Sequence, residues 1–167
     1  MDWRSFSLDQ VNERAGPGRN VWDRPEGYEA ERLRGFLGAE AARRQGPAAF
    51  ERFHLALLRL RHEEGRKLTD PATVLDAARA AELDLARFVA DLEDPRGYAA
   101  LAAQHTEAVE RHAVFGTPTL VFPSGAAAYL KMRPPPPPDE ALAVFEELRQ
   151  LIEGRPNIAE VKRPVRR

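Results

Sequence analysis

A regular series of helix boundaries between residues 28 and 113 constrains this chain more than any other feature. Proline fits the first turn of a helix, and it forces the residue before it into the extended conformation that an N-cap adopts. Aspartate is a preferred N-cap residue. The boundaries are marked by three dipeptides: Gly46-Pro47, Asp70-Pro71 and Asp94-Pro95. The sequence therefore predicts several successive helices with sharp junctions.

Apolar residues recur at helical spacing through the same stretch. Residues three and four apart lie on one side of a helix, so each set forms a face that must be covered. The sets are Phe50, Phe53, Leu57 and Leu60, then Leu85, Phe88, Val89 and Leu92, and then Leu101, Ala108 and Val109. We expect a bundle segment of about five helices.

The pattern changes abruptly at Phe115. Residues 116–122 predict a turn that leads into a short buried strand, in which Pro118 is acceptable because it stands at the strand's first position. Pro123-Ser124-Gly125 is typical of a turn, and residues 127–132 can return as the second strand of a hairpin. A final helix is expected from Asp139 to Gly154.

Residues 2–8 are predicted to form another short strand. Arg4, Phe6 and Leu8 alternate there with Ser5 and Ser7, and alternation is typical of a strand with one buried face. The order of elements is then a strand, a helical block, a hairpin and a helix. This order predicts an α/β or α+β fold that contains a large helical insertion.

Composition excludes several classes of function. The chain has no cysteine, so disulfides, thiolate nucleophiles and cysteine metal sites are ruled out. A net charge of -1 gives no global reason to bind nucleic acid or an anionic membrane. There is no apolar run of about 18 residues and no signal-peptide core at the start, so we expect a cytoplasmic protein that does not enter membranes.

Motifs for other chemistries are absent. No Gly-x-Ser-x-Gly elbow, Walker motif or Gly-x-Gly-x-x-Gly occurs. His105 and His112 would stand about 10 Å apart on one helix, too far to share a metal ion. His54, one turn after Phe50, is interpreted as a partly buried structural histidine. We therefore expect no metal and no cofactor.

Two biased segments allow more than one interpretation. The prolines at 134–138 must be extended, and we interpret them as a spacer, although such a run can also be a ligand for aromatic grooves. The basic tail at residues 155–167 is interpreted as a solvated end. Contact with nucleic acid is its alternative.

The segment Val114-Phe115-Gly116-Thr117-Pro118-Thr119-Leu120-Val121-Phe122 follows a helical region and precedes a hairpin and a closing helix. In this setting it resembles the DsbA-like thioredoxin-fold family, and most of all its FrnE-type branch. Glutathione-transferase-kappa and hydroxychromene-carboxylate isomerase proteins share that superfamily. Further segments resemble the same branch: residues 3–8, 139–142, 155–156 and 162–164.

The resemblance implies an incomplete thioredoxin-like α/β fold with a large helical insertion. Residues 1–25 and 114–154 would form the thioredoxin-like part, residues 26–113 the insertion, and residues 155–167 the basic tail.

The resemblance also implies a binding site. In this family the proline that matches Pro118 follows a cis peptide bond, which turns the backbone of Thr117 outward. Its N–H and C=O can then pair with an extended peptide. The expected substrate-binding residues are Phe115, Gly116, Thr117 and Pro118.

The chain departs from the family at its beginning. The family starts with a strand followed by a Cys-x-x-Cys at the first helix, where the helix N-terminus lowers the pKa of the attacking thiol. Here the stretch that resembles the second strand already stands at residue 3. We therefore expect the first strand, the first helix and all catalytic residues to be lacking.

Three arrangements could compensate for the lacking strand. The recorded start could lie inside a longer gene, a second copy or another partner could supply the strand, or the two remaining strands could pair with each other.

The functional hypothesis is a thiol-disulfide oxidoreductase homologue without catalytic cysteines, inactive in dithiol exchange as given. One alternative is a non-catalytic module whose groove beside Thr117-Pro118 binds a peptide or a small apolar ligand. The other is an isomerase-type relative, which needs a hydroxyl at the lost catalytic position.

Overall fold

The computed structural model describes residues 1–12, 16–23, 25 and 27–163, so the last four residues of the basic tail lie outside the described part. Contacts divide the chain into two compact units, Met1–Glu107 and Ala108–Arg167. The elements are α1 (Leu8–Val11), α2 (Tyr28–Arg43), α3 (Pro47–His62), α4 (Pro71–Ala80), α5 (Leu85–Leu92), α6 (Arg96–His112), β1 (Thr119–Val121), β2 (Ala127–Tyr129) and α7 (Ala141–Gly154).

The helix boundaries predicted at the three dipeptides are confirmed, whereas Asp139 does not cap α7, whose N-cap residue is Glu140. Helix α3 begins at Pro47, directly after Gly46, whose φ of 113° favours glycine. Helix α4 begins at Pro71, and the carboxylate of Asp70 accepts the N–H of Ala72 at 2.9 Å. The carboxylate of Asp94 likewise accepts the N–H of Arg96 at 2.8 Å, where α6 begins. These caps satisfy N–H groups that have no partner inside the helix.

The core of the first unit lies among helices α2 to α5. Phe53 of α3 and Phe88 of α5 are fully buried, with ring centroids 5.4 Å apart. Val74 of α4 and small residues of α2, including Ala41 and Ala42, belong to the same cluster. Alanines on α2 let the neighbouring helices approach closely enough for the two rings to meet between them.

Gly38 of α2 is the tightest point of this core. A Cβ atom at Gly38 would lie 2.8 Å from Cγ1 of Val74 and 2.9 Å from Cζ of Phe53. At Gly35, one turn earlier, the nearest atom would be a Leu68 carbon at 3.5 Å, an ordinary contact.

We expect Gly38→Ala to lower the free energy of unfolding by about 1–2 kcal/mol, because overpacking outweighs the gain in helix propensity. Gly35→Ala gains the same propensity without the clash and should raise the free energy of unfolding by up to about 1 kcal/mol. Urea denaturation of both variants measures the difference, and equal shifts in one direction would contradict it.

The strand predicted at residues 2–8 is wrong. Residues 1–7 form no helix or strand, and Leu8 begins α1. Instead of a neighbouring strand, side chains of α6 accept the backbone N–H groups. The N–H of Ser5 donates to Gln104 Oε1 at 2.8 Å, and the N–H of Ser7 donates to His105 Nδ1 at 3.2 Å. Ser5, Phe6 and Ser7 are all buried, so burial does not alternate.

The second unit contains the predicted hairpin, but its first strand is half-buried to exposed and not buried as expected. Strands β1 and β2 are antiparallel, and Thr119, Leu120 and Val121 pair with Tyr129, Ala128 and Ala127. Gly125, with φ of 85°, closes the turn by donating its N–H to Phe122 O at 2.8 Å. In the described residues the only sheet is this two-stranded one, so the third arrangement, in which residues 2–8 pair with this strand, does not occur among them.

Candidate binding site at the Thr117-Pro118 loop

The end of α6 positions the loop that leads to β1. Ala113 adopts a left-handed conformation with φ of 52°, and its N–H donates to Val109 O at 3.0 Å. The next N–H, of Val114, donates to Ala108 O at 3.0 Å. A left-handed residue after the last turn is a common way to cap a helix. It turns the chain away from the helix axis just before Phe115.

Hydrogen bonds inside the loop leave the backbone groups of two residues, Phe115 and Thr117, free among the described residues. The Thr119 hydroxyl donates to Gly116 O at 2.7 Å, and the N–H of Leu130 donates to Pro118 O at 3.0 Å. Among the described residues, none accepts the N–H of Thr117 or donates to its C=O. The Thr117-Pro118 bond is cis, the isomer that the resemblance implies.

The four predicted site residues adjoin one another in the loop but differ in exposure. Phe115 is 67% exposed, and its ring lies 5.3 Å from that of Tyr129 at an angle of 48°. Thr117 and Pro118 are exposed, whereas Gly116 is buried. A Cβ atom at Gly116 would lie 3.2 Å from the Tyr129 ring, which shows how closely the backbone passes over that side chain.

An exposed apolar face of the hairpin continues from the loop. Val121 and Tyr129 are exposed, whereas the alternate residues Leu120, Phe122 and Ala128 are half-buried. The ring of Phe122 lies 6.4 Å from that of Phe145 on α7, so α7 covers the second face. Sequence reasoning missed Val121 and Tyr129 as site residues. Strand alternation, combined with the pairing of Thr119 opposite Tyr129, was the signal that could have found them.

The chemistry available here is that of binding. The exposed groups are a peptide N–H and C=O, a hydroxyl and aromatic rings. Glu153 is a perturbed acid of this unit. The hydroxyl of Ser124 donates to it at 2.6 Å and, with Arg149, lowers the pKa of its carboxyl.

Within the described ranges no three His, Cys, Asp or Glu side chains are grouped to hold a metal ion. None of the described helices combines the length and apolar character needed to cross a membrane.

The chain matches a known protein family. Residues 28–132 match the family model described as DSBA-like thioredoxin domain. No curated protein matches the chain. The matched region covers more than half of the 167 residues and includes the loop and the hairpin. The predicted fold class is thereby confirmed, as a thioredoxin-like domain with an incomplete, two-stranded sheet and extensive helix. The chain belongs to the DSBA-like thioredoxin domain family.

Proposed function

We propose that this chain is a cysteine-free member of a thiol-disulfide oxidoreductase-type family that binds extended peptides at the Thr117-Pro118 loop. Thiol-disulfide exchange begins with the attack of a thiolate on a disulfide sulfur. The chain contains no cysteine. It therefore cannot carry out dithiol exchange by itself, although the part of the fold that would hold a peptide is present.

The free backbone of Thr117 is the observation that carries the proposal. An extended peptide docks on exposed backbone by exchanging N–H···O=C bonds with it. The C=O groups of Gly116 and Pro118 are already used within the unit, which leaves Phe115 and Thr117 as the described loop residues with both groups available. Thr117 is also an exposed residue, as a position that pairs with a peptide must be.

The aromatic pair beside the loop supplies the apolar contact. In an extended peptide, side chains two residues apart point the same way. A peptide paired with Thr117 would direct every second side chain toward Phe115 and Tyr129. Two hydrogen bonds and a small apolar contact predict weak binding, with a Kd on the order of 0.1–1 mM.

Nuclear magnetic resonance of the full chain tests the binding. The probe is a carboxymethylated, permanently unfolded polypeptide. When it is added, we expect the chemical shifts of Phe115, Thr117 and Tyr129 to change. Phe115→Ala should weaken binding about 3–10-fold, because an aromatic contact contributes about 0.5–1.5 kcal/mol. Leu142→Ala is the matched control, since Leu142 is 72% exposed in the same unit but lies on α7, and it should not change the affinity.

Three results would contradict the proposal. Chemical-shift changes confined to α7, or equal effects of the two variants on the affinity, would show that the peptide binds elsewhere. Oxidation of a dithiol peptide by this chain above the buffer rate would show thiol chemistry that its composition excludes.

The finer points of the assignment belong to the same proposal. We place the thioredoxin-like part at residues 1–25 and 114–154 and the helical insertion at 26–113, within a FrnE-type branch. Self-association through the free edges of the hairpin is the competing use of this surface. A solution mass that rises with concentration, together with loss of peptide binding, would favour it.

A further inference from the structure

Two histidines of the first unit hold the N-terminal segment, which comprises residues 1–7. The ring of His105, on α6, stacks on Phe6 with centroids 4.5 Å apart, and its Nδ1 accepts the N–H of Ser7 at 3.2 Å. The ring of His54, on α3, lies 4.5 Å from Trp3 and 5.5 Å from Phe50. The segment thus meets one imidazole near each of its ends.

Only a neutral His105 fits its contacts. An acceptor nitrogen has no proton, so protonation of Nδ1 would place two N–H groups against each other at Ser7. Burial lowers the pKa of His105, since the charged ring loses hydration. The ring of Trp22 lies 5.2 Å from that of His105, and the residue before His105 on α6 is Gln104, whose amide is neutral. Gln104 also bonds the carboxylate of Glu40, the acid of α2 on this side.

His54 is also suited to the neutral form. Its Nε2 is buried and has no hydrogen-bond partner among the described residues. The guanidinium of Arg43, on α2, lies 3.6 Å from the centroid of Phe50 and donates to the backbone oxygen of Trp3. Burial and then the charge of Arg43 lower the pKa of His54. Among the other charged groups, Glu40 pairs with Arg43 at 3.3 Å.

The first residues of the segment border an open cleft. A cleft of about 530 Å³ lies between its first residues and helices α2 and α3, and Met1, Asp2, Trp3, Arg43 and Phe50 are part of its lining. Asp2 pairs with Arg4 at 2.7 Å, and both side chains are more than half exposed. This pair lies within the segment and does not attach it to the helices.

We propose that His54 and His105 form a proton-sensitive latch, which keeps the N-terminal segment docked while both rings are neutral and releases it when they are protonated. Release uncovers Phe50, Gln104 and His105 on the helical unit, and it frees the backbone of Ser5 and Ser7.

The direction of the pH dependence follows from the linkage between docking of the segment and protonation of the two histidines. A histidine whose pKa is lower when the segment is docked than when it is free binds more protons in the free state. Docking is therefore at full strength above the ordinary value of 6.5. It weakens as the pH falls through 6.5, and the whole contribution is lost below the lowered pKa of the docked state.

Amide hydrogen exchange and imidazole titration of the full chain test the latch together. Between pH 7 and 5, we expect the protection of the Ser5 and Ser7 amides to fall about tenfold, after correction for intrinsic exchange. The same midpoint should appear in the His54 and His105 ring resonances. The far-UV circular dichroism should stay constant, because the helices remain folded.

Variants separate the latch from general acid unfolding. In His54→Phe/His105→Asn, asparagine keeps an acceptor near the Nδ1 position and phenylalanine keeps the stacking, so the protection should no longer depend on pH. The exposed His62, replaced by asparagine, is the matched control and should leave the transition unchanged. The latch is overturned if loss of protection coincides with loss of helix, or if wild-type ring and amide midpoints differ, a measurement that does not depend on any variant.

Discussion

Replacement of Phe88 by alanine lowers the free energy of unfolding of the helical unit by about 3–5 kcal/mol. Phe88 is fully buried against Phe53, and Val74 and Ala78 of α4 belong to the same fully buried cluster. Truncation leaves a cavity between three helices that cannot collapse without moving α5. Because a domain is stable by only about 5–15 kcal/mol, a large part of the total stability depends on this ring.

Urea denaturation followed by circular dichroism measures this loss. Val89→Ala is the matched control, because Val89 is the next residue of α5 but is 39% exposed. Its effect should stay below about 1 kcal/mol. Similar losses for the two variants would show that Phe88 does not occupy the core position described.

Replacement of Gln104 by leucine lowers the free energy of unfolding by about 2–4 kcal/mol. The buried amide of Gln104 accepts the N–H of Ser5 at 2.8 Å and donates to the carboxylate of Glu40 at 2.8 Å. Leucine has a similar size but satisfies neither group. It leaves a buried N–H without a partner, and among the described residues the Glu40 carboxylate keeps its pair with Arg43 alone.

Hydrogen exchange locates the effect of this substitution. The Ser5 amide should lose its protection in Gln104→Leu, whereas the Ser7 amide, bonded to His105, should lose less. Gln150→Leu changes an exposed glutamine of α7 and should leave both amides and the denaturation midpoint unchanged. An unchanged Ser5 amide in Gln104→Leu would exclude the bond described here.

The helices could be predicted because their signals are local. The cap at Asp70 reaches a residue two positions away, and the proline that follows fixes the same junction. The hairpin was predictable for the same reason, since Gly125 sets its turn. The segment at residues 2–8 was not predictable, because the groups that accept its N–H groups stand 99 and 98 positions away.

The candidate site, too, could be predicted only where its signals are local in the sequence. The loop from Phe115 to Pro118 could be identified from a contiguous motif. Tyr129 joins the site only through the register of the hairpin, which the motif does not contain. The interpretation of His54 as a partly buried histidine is confirmed by its contacts with Phe50 and Trp3. The contact of His105 with Ser7 could not be predicted from the spacing of the histidines.

Ser5 and Ser7 are attached to α6 through their main-chain N–H groups. We therefore expect substitutions at positions 5 and 7 to be tolerated better than substitutions of the side chains that accept these bonds. Every residue except proline carries that N–H group, so positions 5 and 7 can exchange one small side chain for another and keep the bond. Positions 104 and 105 have less freedom, because the acceptor is the side chain itself and any replacement must also carry an acceptor at that place. A saturation library should therefore tolerate alanine and glycine at position 5 while it rejects most residues at position 104.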